Sequence, residues 1–147
     1  MIYTYRECKE KYKTDYEIRK HIEAGRLKRL SRGVYSDNEF EPDLALISRK
    51  YPYAVFTMNS AFYYHGLTDA VPQSYYLITD KDATKIKEQK IYQLFDNNDS
   101  LELGVEIKNQ NGVFIKIFTL ERMLVELIRS KNRLPFDYYK EIIAHYR

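Results

Sequence analysis

Tyr5, Cys8 and Tyr12 recur at the spacing of one helical face, and Ile18 and Ile22 form a second, narrower stripe. Each stripe has a start signal. Thr4-Tyr5-Arg6-Glu7 and Thr14-Asp15-Tyr16-Glu17 are capping boxes, in which the threonine hydroxyl accepts from an orphan N–H and the glutamate reaches back. Gly25 supplies the left-handed residue that ends the second helix. Two short helices this close predict a helix-turn-helix. The pattern then changes to Leu27-Lys28-Arg29-Leu30, Ser31-Arg32-Gly33 and Val34-Tyr35. That order predicts a small basic β-hairpin with a three-residue loop and Gly33 in the left-handed position. Such a hairpin after a helix-turn-helix is called a wing.

A polar connection over 37–42 leads to a helix over Asp43–Tyr51, with Leu44, Ile47 and Leu46 inward. A short strand over Tyr53–Thr57 is followed by a helix over Ser60–His65, ended by Gly66, with His65 as its C-terminal cation. Tyr75–Thr79 alternates as a strand, and the lysine-rich stretch 80–90 reads as a loop or short helix. Ile91–Phe95, Leu103–Lys108 and Val113–Phe118 read as strands, the last two joined through Asn109-Gln110-Asn111-Gly112. On Leu103–Lys108, simple alternation puts Leu103, Val105 and Ile107 inward and Glu106 and Lys108 in water. Thr119 then caps a helix with Leu120, Met123, Leu124, Leu127 and Ile128 on one face. A last helix starts at Pro135 and carries Phe136, Tyr139, Ile142, Ile143 and Tyr146 up to Arg147.

Composition changes this picture little; charge changes it more. The length of 147 residues suits one domain or one domain with an appendage. Cys8 is the only cysteine, which excludes an internal disulfide and a cysteine zinc cage and suits a small buried hydrophobe. No apolar run approaches the ~18 residues of a membrane span. Tyr3, Arg6, Glu7 and Lys9 stand where a signal peptide would be apolar. The expectation is a cytoplasmic protein. The net charge of +3 is mild, but residues 1–36 hold ten basic against five acidic side chains. That segment therefore carries +5 and the remainder −2. The asymmetry implies an anion-facing N-terminal segment on a near-neutral body.

The second helix has the side chains a recognition helix needs. Opposite Ile18 and Ile22 lie Tyr16, Lys20 and Glu23, with Arg19 flanking, at ~100° per residue. Arg19 has the geometry to read guanine, and Lys28, Arg29 and Arg32 on the hairpin would track phosphates. A competing reading is enzymatic. Glu106-Ile107-Lys108, with Asp96 or Asp99 upstream, resembles the metal site of restriction-like nucleases, where carboxylates hold Mg²⁺ and lysine steadies the attacking water. A third reading is a protein-interaction module, for which the 15 Tyr and 7 Phe would supply a patch. His21, His65 and His145 show no metal-ligand spacing, no phosphate-binding loop is present, and Ser60 lacks a nucleophile elbow. No cofactor is expected.

Arg26-Leu27-Lys28-Arg29-Leu30-Ser31-Arg32-Gly33-Val34-Tyr35-Ser36, followed by Asn59-Ser60-Ala61 and His65-Gly66-Leu67-Thr68, resembles the AbiEi family. Its members are antitoxins of type IV toxin–antitoxin, phage abortive-infection systems. Residues Thr119 to Leu127 are similar to the helix after the last strands in that family. The resemblance runs over residues 3–130 and rests on the order and spacing of these motifs. It implies an N-terminal winged helix-turn-helix that binds operator DNA and represses its own operon. It also implies a C-terminal α/β domain needed for antitoxin action against a nucleotidyltransferase-like toxin, with or without direct contact. By position, Tyr16, Arg19, Lys20, Lys28, Arg29 and Arg32 would be the DNA-contacting set. Leu30, Gly33, Val34 and Tyr35 would build the wing.

Together these readings predict an α+β protein. A winged helix-turn-helix over 1–40 would pack on a mixed α/β domain over 41–147 with an antiparallel-rich sheet. A unit of about 36 residues rarely folds alone, so it should need support from residues beyond position 41.

Overall fold

The computed structural model describes residues 1–38 and 40–146. Glu39, in the expected 37–42 connection, and Arg147, the end of the last helical pattern, lie outside the described residues. The fold is mixed α/β. Four of the six strand pairings in its two sheets are antiparallel among the described residues. The chain divides into two compact units, Met1–Pro52 and Tyr53–Arg147. The division falls after Pro52 rather than at residue 40.

The first unit runs β1 (Ile2–Thr4), α1 (Tyr5–Tyr12), α2 (Asp15–Glu23), β2 (Lys28–Ser31), β3 (Val34–Ser36) and α3 (Asp43–Lys50). Its sheet has the order β1-β3-β2, all antiparallel. Both predicted helix starts are made. Thr4 Oγ1 accepts from Glu7 N–H at 3.2 Å, and Thr14 Oγ1 accepts from Glu17 N–H at 3.1 Å. The reciprocal half of the first box is spent elsewhere, because the Glu7 carboxylate takes the Arg49 guanidinium of α3. Past Ala24, Gly25 sits at φ +76, with Gly25 N–H on Ile22 O at 3.1 Å and Arg26 N–H on His21 O at 3.0 Å. This pair of bonds is a Schellman stop, and it turns the chain into β2.

Tyr3, Cys8, Ile18, Leu27 and Tyr35 form the core of this unit, with Tyr12 and Ile22 packed against it. Cys8 is fully buried, as its place on the apolar stripe required. The support a unit this small needs comes from α3, which buries Ile47 and packs along β1. Arg49 there also donates to Ile2 O at 3.4 Å. Removing one cap tests this unit directly. Thr14→Ala should destabilise it by about 1 kcal/mol, read as a lower urea midpoint with an unchanged slope; no shift would mean that the α2 start is held by tertiary contacts alone.

The second unit contains β4 (Val55–Phe56), α4 (Met58–Tyr64), β5 (Tyr75–Asp80), β6 (Ile91–Asp96), α5 (Asn98–Leu101), β7 (Val105–Gln110), β8 (Val113–Phe118), α6 (Leu120–Arg129) and α7 (Phe136–His145). A short 3-10 turn, Lys131–Arg133, joins the last two helices. The sheet order is β6-β5-β4-β8-β7, with β4·β8 and β5·β6 parallel. Phe62, Phe118, Leu77, Ile115, Ile117, Met123, Leu127 and Ile142 are its fully buried centre. The 80–90 stretch crosses between parallel strands without a helix. Gln93 organises it: the side chain accepts from Ile86 N–H at 2.7 Å and donates to Thr79 Oγ1 at 2.8 Å. His65, half-buried at the end of α4, donates from Nε2 to Phe118 O at 2.7 Å.

Two expected faces differ. On α6, Met123 and Leu127 are buried, but Ile128 is 60% exposed and Leu120 39% exposed. The buried surface is one residue per turn wide, so the edges of the predicted stripe stay in water. On β7 the expected alternation holds only in part: Glu106 is exposed and Val105 half-buried, but Lys108 is half-buried and Ile107 exposed. Glu106 pairs with Ile117 and Lys108 with Ile115, while Ile107 pairs with Lys116. Directly opposed residues share a face. Ile107 is therefore 67% exposed, and Leu103, ahead of the strand, is 66% exposed.

Candidate nucleic-acid interface

The hairpin is built differently from the predicted one. Ser31 pairs with Val34, so the turn is the two residues Arg32-Gly33, with Gly33 at φ +75. Arg29 pairs with Tyr35, which leaves Leu30 as the extra residue of a β-bulge. The bulge absorbs the residue that the three-residue loop would have held. Val34 and Tyr35 are buried, Leu30 is half-buried, and Gly33 O accepts from Tyr5 N–H at 3.1 Å. The four expected scaffold residues thus sit in one hairpin whose turn is tied to the first helix.

The angle between α1 and α2 is fixed at Asp15. Tyr5 Oη donates to its carboxylate, and Lys9 Nζ lies 3.1 Å from the same oxygen. Those two hydrogen bonds hold Asp15 below the usual carboxylate range. The Tyr12 and His21 rings meet at 4.5 Å between centroids, tilted by 47°, and His21 Nδ1–H donates to Glu17 O at 2.8 Å. At the other end of the sheet, Tyr3 Oη donates to Asp37 at 2.9 Å and accepts from Lys11 Nζ at 2.8 Å. Glu41 accepts from Ser36 Oγ at 2.7 Å. Burial pushes Glu41 upward, but the hydrogen bonds from Ser36, the Met1 amino group and Asn38 outweigh it and hold it low.

These contacts sort the ten basic side chains of residues 1–36 into two groups. Arg6 pairs with Glu10, Lys9 with Asp15 and Lys11 with Asp37, all from α1. Arg19, Lys20, Lys28, Arg29 and Arg32 form no ion pair among the described residues, and each is exposed. Tyr16 beside them is 68% exposed. So the predicted set stands in water, on α2 and the hairpin; on α2 it shares the helix with Asp15, Glu17 and Glu23, and Arg19 helps to hold Asp15 low, whereas the hairpin carries no acidic residue.

Sequence reasoning left out two members of the same group. Lys13, at φ +73 in the turn between α1 and α2, and Arg26, just past the Schellman stop, are also exposed and unpaired among the described residues. Arg26 and Lys28 line an open depression of about 580 Å³ with Gly25, Ser36, Asp37 and Asn38. The signal for both was present in the charge count. Neither lies on a periodic element, so no face could be assigned.

The residues of the nuclease reading do not gather. Asp96 ends β6 and Glu106 lies on β7, the two opposite edges of the sheet. Four strand spacings separate these edges, about 19 Å. Asp99 is on α5, which packs on β5. Among the described residues no three His, Cys, Asp or Glu side chains come together as a metal-holding group. Ser60, the other isolated nucleophile, accepts from Tyr76 N–H at 2.9 Å and ties α4 to β5. No helix among the described residues is long and apolar enough to cross a membrane. No family model matches the chain, and no curated protein matches its sequence.

Proposed function

We propose that this chain is a sequence-specific DNA-binding protein that represses its own operon, a type IV antitoxin of the AbiEi kind. One observation carries the reading. The basic side chains Arg6, Lys9 and Lys11 of α1 lie in ion pairs, whereas Lys28, Arg29 and Arg32 of the hairpin and Arg19 and Lys20 of α2 are exposed with no ion pair among the described residues, the hairpin strands and turn carrying no acidic residue. Polyanions are the partners such a surface favours, through release of their counterions. The strand order β1-β3-β2, with two helices between the first and second strands, is also what a winged helix-turn-helix requires. In this reading α2 enters the major groove, Tyr16, Arg19 and Lys20 face the bases, and Lys28, Arg29 and Arg32 hold phosphates. The second unit serves antitoxin action against a nucleotidyltransferase-like toxin, which is a functional partner whether or not the two touch. The chain has no catalytic role and needs no cofactor.

The test is a fluorescence-anisotropy titration with the chain's own upstream DNA and a scrambled duplex, at two salt concentrations. Tight, salt-sensitive binding that prefers the upstream DNA is expected. Weak binding without preference would remove the repressor reading. Within this assay, Arg19→Ala should lose about 1–3 kcal/mol on the upstream DNA and little on the scrambled duplex. Equal losses on both would move Arg19 from the bases to the backbone.

A further inference from the structure

Strand β7 is an edge of the five-stranded sheet, and its two sides are unequal. Thr119 N–H donates to Gly104 O at 2.7 Å, just ahead of the strand, and the hairpin turn joins Gln110 to Val113 through Asn111 (φ +53) and Gly112 (φ +88). In an antiparallel ladder the hydrogen-bonded positions recur every second residue. The backbone groups of Glu106, Lys108 and Gln110 therefore point to β8, and those of Val105, Ile107 and Asn109 point outward. At the opposite edge strand, β6, the 81–90 connection is held on the β5 side, through Lys81 N–H to Asp96 O at 2.9 Å, and by the Gln93 side chain.

The side chains of β7 read Glu106-Ile107-Lys108. Ile107 is 67% exposed, as is Phe114 on the same face of β8. Glu106 and Lys108 share the other face, about 6.6 Å apart along the strand. Neither forms an ion pair among the described residues. Charged side chains, inward-pointing ones included, guard an edge against a second copy when pairing would set like charges opposite one another. This edge carries opposite signs placed symmetrically about an isoleucine.

We propose that β7 is a homodimer edge, on which a second copy of this chain pairs antiparallel about a two-fold axis at Ile107. In that register Ile107 meets its counterpart, and Glu106 of each copy faces Lys108 of the other, twice per dimer. The outward backbone groups of Val105, Ile107 and Asn109 are then the hydrogen-bonded set, about six new bonds in all. Glu106 and Lys108 fall at the non-hydrogen-bonded positions, where opposed side chains come closest. Moving the axis to Val105 or Asn109 sets Glu106 against Gly104 or Lys108 against Gln110 and loses both charge pairs. The proposal does not depend on DNA binding.

Sedimentation equilibrium of the full chain, at concentrations from about 1 to 500 µM, tests it. A dimer with a micromolar Kd, about 1–100 µM, is expected for an interface of this size. Glu106→Lys and Lys108→Glu should each weaken it about tenfold, because each creates two like-charge contacts. The double variant E106K/K108E should restore it to within about threefold. A wild-type chain that stays monomeric throughout, singles that dimerise like wild type, or a double that remains as weak as the singles would each overturn the proposal. Amide exchange on the unmodified chain gives an answer that needs no variant. Val105, Ile107 and Asn109 amides should slow as concentration rises, while Glu106 and Lys108 stay protected throughout; concentration-independent exchange at all five would also overturn it.

Discussion

Arg122→Ala is expected to destabilise the second unit by about 3 kcal/mol. Arg122 is a charged residue near the start of a surface helix, yet its side chain is only 9% exposed. Its guanidinium gathers a loop. Nη1 donates to Ser100 O at 2.6 Å and to Leu103 O at 2.7 Å, and Nε donates to Glu126 Oε1 at 3.1 Å. The guanidinium carbon stands 4.3 Å over the Phe118 ring. Gly104 continues the same loop at φ +66, so close that an added Cβ would come within 2.8 Å of Arg122 Cβ. Truncating Arg122 removes both carbonyl contacts and one partner of a largely buried pair. Removing one partner from a buried pair costs about 3–5 kcal/mol, and the low end applies because the exposed Leu103 loop admits water to the freed carbonyls. Arg129 pairs with the same Glu126 oxygen at 3.1 Å but is 61% exposed. Arg129→Ala should therefore change stability by no more than about 0.5 kcal/mol. Urea unfolding of both variants, monitored by probes in the second unit, separates them. Equal small losses would mean that Arg122 is solvated despite its contacts.

Arg122 also marks where sequence pattern stops being informative. Periodicity located the helix after Thr119, and the cap is there, with Thr119 Oγ1 accepting from Arg122 N–H at 3.2 Å. The same periodicity assigns Arg122 to the polar face, because it carries no information about which solvent-side residues a loop will cover. The β7 edge was legible only in part, for a related reason. Alternation tells that Glu106 and Ile107 point oppositely, not which side the core takes, and the register with β8 decided that. Strand β1 was invisible. Ile2-Tyr3-Thr4 is three residues long and exists because Tyr35 pairs with Tyr3 across more than thirty residues of chain. By contrast, signals closed within a few residues were legible: both threonine caps, the glycine stops after α2 and α4, and the Asn111-Gly112 turn. Gly66 ends α4 as Gly25 ends α2, with Gly66 N–H on Tyr63 O and Leu67 N–H on Phe62 O. The candidate interface was legible for the same reason. Each of its residues is placed by the helix or hairpin that carries it, and exposure there needed only the absence of a partner.

The triple variant K28A/R29A/R32A is expected to lose about 100-fold in affinity for any duplex near 0.15 M salt, if the chain binds DNA as proposed. The argument rests on the hairpin geometry. Lys28 and Arg29 lie on β2 and Arg32 in the turn, all exposed and without ion pairs among the described residues. None supports the hairpin itself, which is held by buried Val34 and Tyr35 and by Gly33. The fold should therefore survive, with an unchanged circular-dichroism spectrum and urea midpoint. If each side chain neutralises one phosphate, each contributes about 0.9 to the slope of log affinity against log salt. The triple should then flatten that slope by about 2.7 while leaving the preference for upstream over scrambled DNA nearly intact. R6A/K9A removes two charges from the same segment that are already paired with Glu10 and Asp15. Its slope should fall by much less than the ~1.8 that two phosphate contacts would give. Flattening of the slope by the triple and not by the double places the DNA backbone on the hairpin. Equal flattening by both would mean that net charge alone drives binding, and an unchanged slope in the triple would take the hairpin off the DNA.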